Sequence, residues 1–522
     1  MDTMKKGAGM DEDVKVLHSM GYAQELARRM GGFQNFAISF SIICILAGGI
    51  TAFPNGFSAA GGGSIGIGWP LGSAFALLVA AAMGQIASAY PTAGGIYHWA
   101  SIMGGKGWGY AAAWFNLLGL LFVVSSVNYG VYLLFRDLFW HGVLGNDVSN
   151  WGHGHLVAAI LIITVSQAIL NHIGIRATTI LTDFSGYLIF VVATVLTVAL
   201  IAYAPSIDFS RLFTFTNYTG DAGGGVWPQS TSMMFAFGVG LILVCYTITG
   251  FDASAHTSEE TRNAAREVPK GMLRSVFWSF LFGYLMVCAF VLSMPSVDEG
   301  AKQGFGVFPW LMDKSAMPVA LKNALFVGIV VANYLCALAG LTSTSRMMFA
   351  FARDGGFPAI SPWMRHVSHR HRTPVNAIWF GAALCILLAY VVEFSGGTSG
   401  QTFIALAAGC AVFLYISYLM PVLAGIFAEG RSWTHKGPFN LGGWSKVVAV
   451  LALIGGGVLV FIGIQPPNTI VGEFILGLIV LLVIVWWVLG ERSRFQGPPM
   501  GDMIKMRQAE IAREEAQVMQ PE

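Results

Sequence analysis

Apolar stretches recur along the chain near residues 36–60, 70–89, 108–134, 155–173, 178–203, 233–257, 273–293, 323–350, 375–393, 402–428, 446–464 and 470–490, with polar connections between them. A helix needs about 20 predominantly apolar residues to cross a bilayer. The pattern therefore predicts twelve transmembrane helices, an all-α polytopic membrane protein with polar ends at 1–35 and 491–522. The tail after Arg492 mixes both signs, with Arg507, Glu510, Arg513, Glu514 and Glu515 at helical spacing. It reads as a solvated helix or a disordered end, not a domain.

Composition agrees. Of 522 residues, 55% are apolar and 11% charged, against about 25% charged in soluble domains, which excludes an ordinary cytosolic enzyme. A net charge of +2 leaves no basic surface able to hold nucleic acid. The six cysteines stand singly in separate apolar runs without C-x-x-C spacing and read as small buried hydrophobes. No Walker A or zinc-hydrolase motif occurs, and no cofactor is expected. The first 35 residues lack an apolar core followed by a small-residue cleavage site, so the first apolar run reads as a retained helix. An even number of spans puts both termini on one side, and Lys and Arg divide 24 to 5 in favour of that side. The positive-inside rule makes it cytoplasmic, in the inner or plasma membrane of the cell.

Two spans should be poor helices. The first contains Ala47-Gly48-Gly49-Ile50-Thr51 and the sixth Tyr246-Thr247-Ile248-Thr249-Gly250-Phe251-Asp252, with Gly49 and Gly250 lying 201 positions apart. Broken helices at matching places in two halves point to an inverted-repeat transporter with its binding site between the breaks. The halves would be residues 36–204 and 233–428, with two further helices at 446–490. Close packing through small residues is the competing explanation, since the chain's 64 glycines fall in nearly every span. Asp252 tips the balance: a carboxylate deep in a span is costly and usually marks a site or pathway. It follows Gly250, where an unwound segment would restart as a helix and its amides would favour the charge.

If the first span breaks at Gly48-Gly49 while running outward, its outer half begins with free amides, which bind carboxylates. The outer half of the sixth would end at Thr247 to Thr249 with free carbonyls, which suit an ammonium. Together they make a site for a small zwitterion, with Tyr246 and Phe251 as candidate walls. His256, Glu259 and Glu260 follow Asp252 at i+4, i+7 and i+8, on one helix face. Asp252 and His256 are candidates for binding a coupling proton. The two glutamates read better as membrane-surface residues paired with Arg262, Arg266 or another inner-loop arginine.

The eighth span ends in Ala339-Gly340-Leu341-Thr342-Ser343-Thr344-Ser345-Arg346. Its hydroxyls can coordinate sodium with freed carbonyls, or back-bond to their own helix. Asp183, inside the fifth span, is another intramembrane acid, with Arg346 as its expected partner. Gly61-Gly62-Gly63-Ser64-Ile65-Gly66 matches G-x-G-x-x-G without a preceding strand, so it reads as a glycine-rich outer loop. His366, His369 and His371 lie among arginines and read as a solvated basic loop rather than a metal site.

At several stretches the chain resembles the amino acid-polyamine-organocation superfamily, and within it the amino acid/choline permease group that includes fungal GABA and choline permeases. These are Gly21-Tyr22-Ala23-Gln24-Glu25-Leu26, Phe36-Ala37-Ile38-Ser39-Phe40-Ser41, Pro91-Thr92-Ala93-Gly94-Gly95-Ile96-Tyr97, Gly250 through Thr261, and Ser345 through Gly355. The resemblance implies two inverted five-helix repeats (LeuT-like) plus two helices, with substrate held at Ala47 through Thr51 and Thr247 through Asp252 and carried by alternating access. Some proton-coupled relatives use a fifth-span lysine, which is absent between Arg176 and Tyr203. Ala339, Thr342 and Ser343 look like positions that hold sodium in sodium symporters of this fold, although this family is not generally sodium-dependent.

The expected function is a secondary permease for an amino acid or GABA-like zwitterion, coupled to protons or working by exchange. The alternatives are a choline or polyamine carrier, in which Asp252 offsets a substrate without a carboxylate, and a non-transporting membrane sensor of the same fold. A channel is disfavoured by the matched breaks and by the lack of a repeated filter motif.

Overall fold

The computed structural model describes residues 12–395 and 398–519. Lys5 and Lys6 of the predicted N-terminal segment and the last three residues of the tail lie outside the described residues. Among the described residues the chain is helical, with only two isolated β-bridges. Among the described residues, eleven helices are long and apolar enough to cross a membrane. The remaining predicted span, 233–257, exists as short helical pieces.

In chain order, the first span comprises α1 (Gly32–Ile43), α2 (Ile45–Thr51) and α3 (Phe53–Ala60). Next come α4 (Trp69–Ala89), the short α5 (Ile96–Gly104), α6 (Lys106–Leu134), α7 (His153–Ile173) and α8 (Ile175–Ala202). Only Gly174 separates α7 from α8, at φ +125°, a conformation that glycine adopts without steric cost. The sixth span is α9 (Met233–Gly240), α10 (Ile242–Thr247) and α11 (Ala253–His256). The rest are α12 (Ala264–Ser293), α13 (Val319–Arg353), α14 (Val375–Phe394), α15 (Ser399–Ala428), α16 (Ser445–Gly463) and α17 (Thr469–Val483), with α18 (Asp502–Met519) in the tail.

The packing repeats between halves. Spans two and seven pack together (α4 on α12), as do three and eight (α6 on α13). Span one meets five (α1 on α8) as six meets ten (α10 on α15), and three meets ten (α6 on α15) as eight meets five (α13 on α8). Each contact persists when the first five spans are exchanged with the next five, the packing of two equivalent repeats. The core lies at α6 and α15: 94% of the most apolar stretch of α15 is buried, against 11% for the last span, which leaves that helix to lipid.

Two expectations change here. The Gly61–Gly66 run is not a free loop: it leads into a π-helical turn, Ser64–Gly68, pressed under the connection between spans five and six. A Cβ at Gly62 would overlap the Arg211 carbonyl and one at Gly66 the Leu212 carbonyl, so these glycines serve close backbone approach. The tail helix α18 keeps an exposed face that includes Asp502, Lys505 and Arg513 but is also anchored on the N-terminal segment. Arg507 donates to the Gly21 carbonyl (3.4 Å), and the Glu515 carboxylate accepts from His18 and from the Gln24 amide (both 2.8 Å).

Candidate functional site

The first span breaks at Cys44 (φ 1°, ψ 93°), not at the expected Gly48-Gly49. Gly48 lies inside α2, its amide bonded to the Cys44 carbonyl at 3.0 Å. The physical reason is crowding: a Cβ on Gly48 would stand 2.7 Å from Thr247 Cα, and one on Gly49 2.7 Å from Met286 Cε. Gly48 lets α2 approach α10 and Gly49 lets it approach α12, which is the close-packing role. The break is held from α13: Cys336 donates its thiol to the Ile42 carbonyl (3.1 Å) and Asn333 its amide to that of Leu46 (3.3 Å). The amides of Ile45 and Leu46 open the new helix.

The sixth span unwinds between Thr247 and Ala253. Gly250 sits at φ +94°, and a Cβ there would overlap Ile42, so the two breaks cross at this pair and only glycine fits. Tyr415 donates to the Ile248 carbonyl (2.9 Å), and Tyr418 accepts from the Gly250 amide (3.2 Å). Beyond the breaks, α1 and α11 are joined by polar side chains. Ser39 donates to the Phe251 carbonyl (2.9 Å), and Asn35 donates to the Ser254 carbonyl (2.9 Å) and the Thr261 hydroxyl (3.0 Å).

Asp252 is fully buried below this crossing. Tyr418 donates to Oδ1 at 2.6 Å and Asn116 to Oδ2 at 3.2 Å, while His256 Nε2 stands 3.1 Å from Oδ2. The other ring nitrogen, His256 Nδ1, lies 3.1 Å from the Ala93 carbonyl. That carbonyl can only accept, so Nδ1 carries hydrogen. His256 Nε2 and Asp252 Oδ2 thus face each other within hydrogen-bond reach in a dry site.

Above the crossing lies a cavity of about 10 Å³ lined by Ala47, Gly48, Val123, Tyr246, Thr247 and Cys410, among others. That is the space of about one water, so the breaks are closed on each other. On the face opposite the termini, Tyr246 meets Phe403 edge-to-face at 5.9 Å. Ile50, Thr51, Phe403 and Arg136 help to line a recess of about 200 Å³ there.

The face carrying the termini is closed differently. Glu260 is paired with Arg346 (3.1 Å) and Glu259 with Arg353 (2.9 Å), all deeply buried. Arg353 also lies over the Tyr22 ring, 3.9 Å from its centroid. Glu259 accepts from the Ala93 amide (3.0 Å), and Asp354 accepts from Tyr22 (2.7 Å) and Tyr97 (2.9 Å). The N-terminal segment lies across this cluster, with Met30 and Arg262 bonded through the backbone and Arg372 donating to the Gln24 and Glu25 carbonyls. Burial pushes the Glu25 carboxyl up to about 7. Four of the stretches that carried the family resemblance thus meet at one place, through Tyr22, Tyr97, Glu259 and Arg353 with Asp354.

The family profile described as amino acid permease matches residues 30–489. The chain belongs to the amino acid permease family. It is 31% identical over 520 residues to the amino-acid permease BAT1 homolog of Oryza sativa subsp. japonica, covering 94% of this chain and 96% of that protein. Against amino-acid permease BAT1 of Arabidopsis thaliana the identity is 31%, again with 94% and 96% covered. Amino-acid permease 2 of Neurospora crassa is 24% identical, with 93% and 88% covered. A permease of this family is an amino acid transporter and a multi-pass membrane protein, in agreement with the helices described above.

Within this permease the remaining candidates divide. Ala47, Tyr246, Thr247 and Thr249 meet at the small cavity, Ile50 and Thr51 face the recess above it, and Phe251 packs on Tyr418 at 5.0 Å. Arg346 does not pair with Asp183: its guanidinium is taken by Glu260, and Asp183 accepts from Gln34 instead (3.1 Å). The glutamates are not at a solvated surface either. They are buried, and the inner-side arginines that pair with them are Arg346 and Arg353. At the candidate sodium positions Ala339, Thr342 and Ser343, α13 runs unbroken. Thr342 donates its hydroxyl to Asn171 Oδ1 (2.7 Å) and to the Leu338 carbonyl (3.1 Å), and the buried Ser343 hydroxyl has no hydrogen-bond partner among the described residues. Reading the sequence missed Asn116, Tyr415, Tyr418 and Arg353. Only Arg353 carried a signal, as a second cation at the end of the eighth span available to balance a second glutamate.

Proposed function

We propose that this permease carries a small zwitterion, an amino acid or GABA-like compound, by alternating access across the cell membrane with its termini in the cytoplasm. The observation that carries the reading is the crossing of two broken spans above a fully buried Asp252. The substrate carboxylate takes the amides that open α2, and its ammonium takes the carbonyls of the unwound turn after Tyr246. The cavity is too small for any amino acid as it stands, so binding requires the two breaks to separate. Substrate binding energy would drive that separation.

The facing pair Asp252 and His256 is the candidate holder of a coupling proton. When Asp252 and His256 lose that proton, Oδ2 and Nε2 repel and the segment after Gly250 moves, so proton release and rearrangement are linked. The test is amino acid uptake into proteoliposomes under an imposed pH gradient, set beside exchange with substrate on both sides and no gradient. Asp252→Asn and His256→Gln are expected to abolish gradient-driven accumulation and to spare exchange. Accumulation that survives both substitutions would remove the proton role, and a substrate without a carboxylate competing as well as an amino acid would remove the zwitterion.

A further inference from the structure

The last span leaves an elongated groove on the lipid-facing side. Between α6, α14 and α17 lies an apolar recess of about 570 Å³ lined by Leu117, Leu121, Leu384, Phe474 and Leu481, among others, with Gly477 in its wall. It follows α17 from Ile470 to Leu481, a rise of about 16 Å at 1.5 Å per residue. That is about half of the hydrocarbon thickness, the depth filled by the chains of one leaflet. A Cβ on Gly477 would meet nothing within 4 Å, so this glycine widens the groove and packs against no protein group.

At the face opposite the termini the groove continues into a polar mouth of about 330 Å³, with Ser395, Gln401, Thr402, Thr469 and Glu473 in its lining. Glu473 and Ile470 belong to both recesses. The Glu473 carboxylate has no ion pair or hydrogen bond among the described residues. Thr402 is 3% exposed, and its hydroxyl has no partner among the described residues. A carboxylate at the edge of a bilayer calls for a cation, and a buried hydroxyl calls for a hydrogen-bond partner.

We infer that this groove holds one membrane lipid with a primary ammonium headgroup, its chain along Gly477 and its ammonium between Glu473 and Thr402. An ammonium donates to a carboxylate and to a hydroxyl at once, and an acyl chain matches the apolar wall. Leu117 is next in sequence to Asn116, which bonds Asp252, so the lipid backs the helix that supports the candidate site.

The experiment is native mass spectrometry of the full-length permease released from micelles containing equal amounts of phosphatidylethanolamine, phosphatidylglycerol and a sterol. The wild type should retain one ethanolamine lipid in preference to the glycerol lipid by about fivefold, the ratio one partly exposed ion pair supports. Gly477→Phe should remove the bound lipid, Glu473→Gln should remove the preference, and Glu473→Lys should turn it toward the anionic lipid. Glu473 is exposed, so its variants keep the fold even if the phenylalanine does not. Equal retention of the two phospholipids by the wild type, retention of the sterol in their place, or lipid that Gly477→Phe leaves bound would each overturn the assignment. So would a dimer that Gly477→Phe dissolves without any change in bound lipid.

Discussion

The two sides of the helix crossing are closed by different chemistry. Toward the termini, Glu259–Arg353 and Glu260–Arg346 are buried ion pairs, backed by Asp354, two tyrosines and a strap of N-terminal chain. Toward the opposite face, Tyr246 of the small cavity and Phe403 of the recess meet edge-to-face. A buried ion pair loses little while both partners are present and becomes very unfavourable once one is removed, whereas an aromatic contact loosens by degrees. The first barrier therefore suits an all-or-none closure and the second a light lid.

The largest expected effect breaks the thick side. Glu259→Ala leaves the Arg353 guanidinium buried without its carboxylate and should cost about 3–5 kcal/mol, read as a lowered melting temperature. It should also let a membrane-impermeant thiol reagent reach Cys410 from the side of the termini. Gly250→Ala comes next: the positive φ alone costs about 1–3 kcal/mol in a side-chain residue. The overlap with Ile42 adds to it, so both stability and transport should fall. Phe403→Ala sharpens the contrast from the other side. Beyond its buried area an aromatic pair is worth about 0.5–1.5 kcal/mol, so labelling of Cys410 from the face opposite the termini should rise several-fold, alongside the fall in melting temperature that loss of a buried ring brings. Labelling from the same side in Glu259→Ala and Phe403→Ala would erase the distinction between the two closures.

The smallest effect is on the strap. Burial raises the Glu25 carboxyl from 4.5 to about 7, Glu514 and Glu259 add to the rise, and Arg353 and Arg365 oppose it. A carboxyl raised in the folded state contributes stability that is complete below pH about 4.5 and is lost as pH climbs through about 7. Amide exchange of residues 22–31 should therefore quicken across that range, and Glu25→Gln should flatten the dependence.

Much of the fold was legible because a bilayer imposes a length and a composition on every span. The predicted stretch 375–393 is α14 (Val375–Phe394), and 155–173 is α7 (His153–Ile173). The sixth-span break was legible because glycine, threonine and a carboxylate together make poor membrane helix. The first-span break was not. It falls at Cys44, whose side chain gives no local warning, because contacts from Cys336 and Asn333 on a helix nearly 300 residues away hold it open. The neighbouring glycines attracted the prediction because glycine marks close packing as readily as it marks a break. The tail helix was legible but its anchoring was not: charges at helical spacing look the same whether they meet water or the Gly21 carbonyl.

The sequence by itself determined a helical membrane protein of the permease family, the place of its spans and the presence of a carboxylate where the sixth should fail. The family showed in the resemblance of its motifs, and the rest follows from transfer energies and local propensities, which depend only on neighbours along the chain. Tertiary structure alone decided the partners: Asn116 and Tyr418 on Asp252, Glu260 rather than Asp183 for Arg346, Gln34 for Asp183. A buried charge takes whichever opposite group the fold brings within hydrogen-bond reach, and that distance is set by packing between helices far apart in sequence.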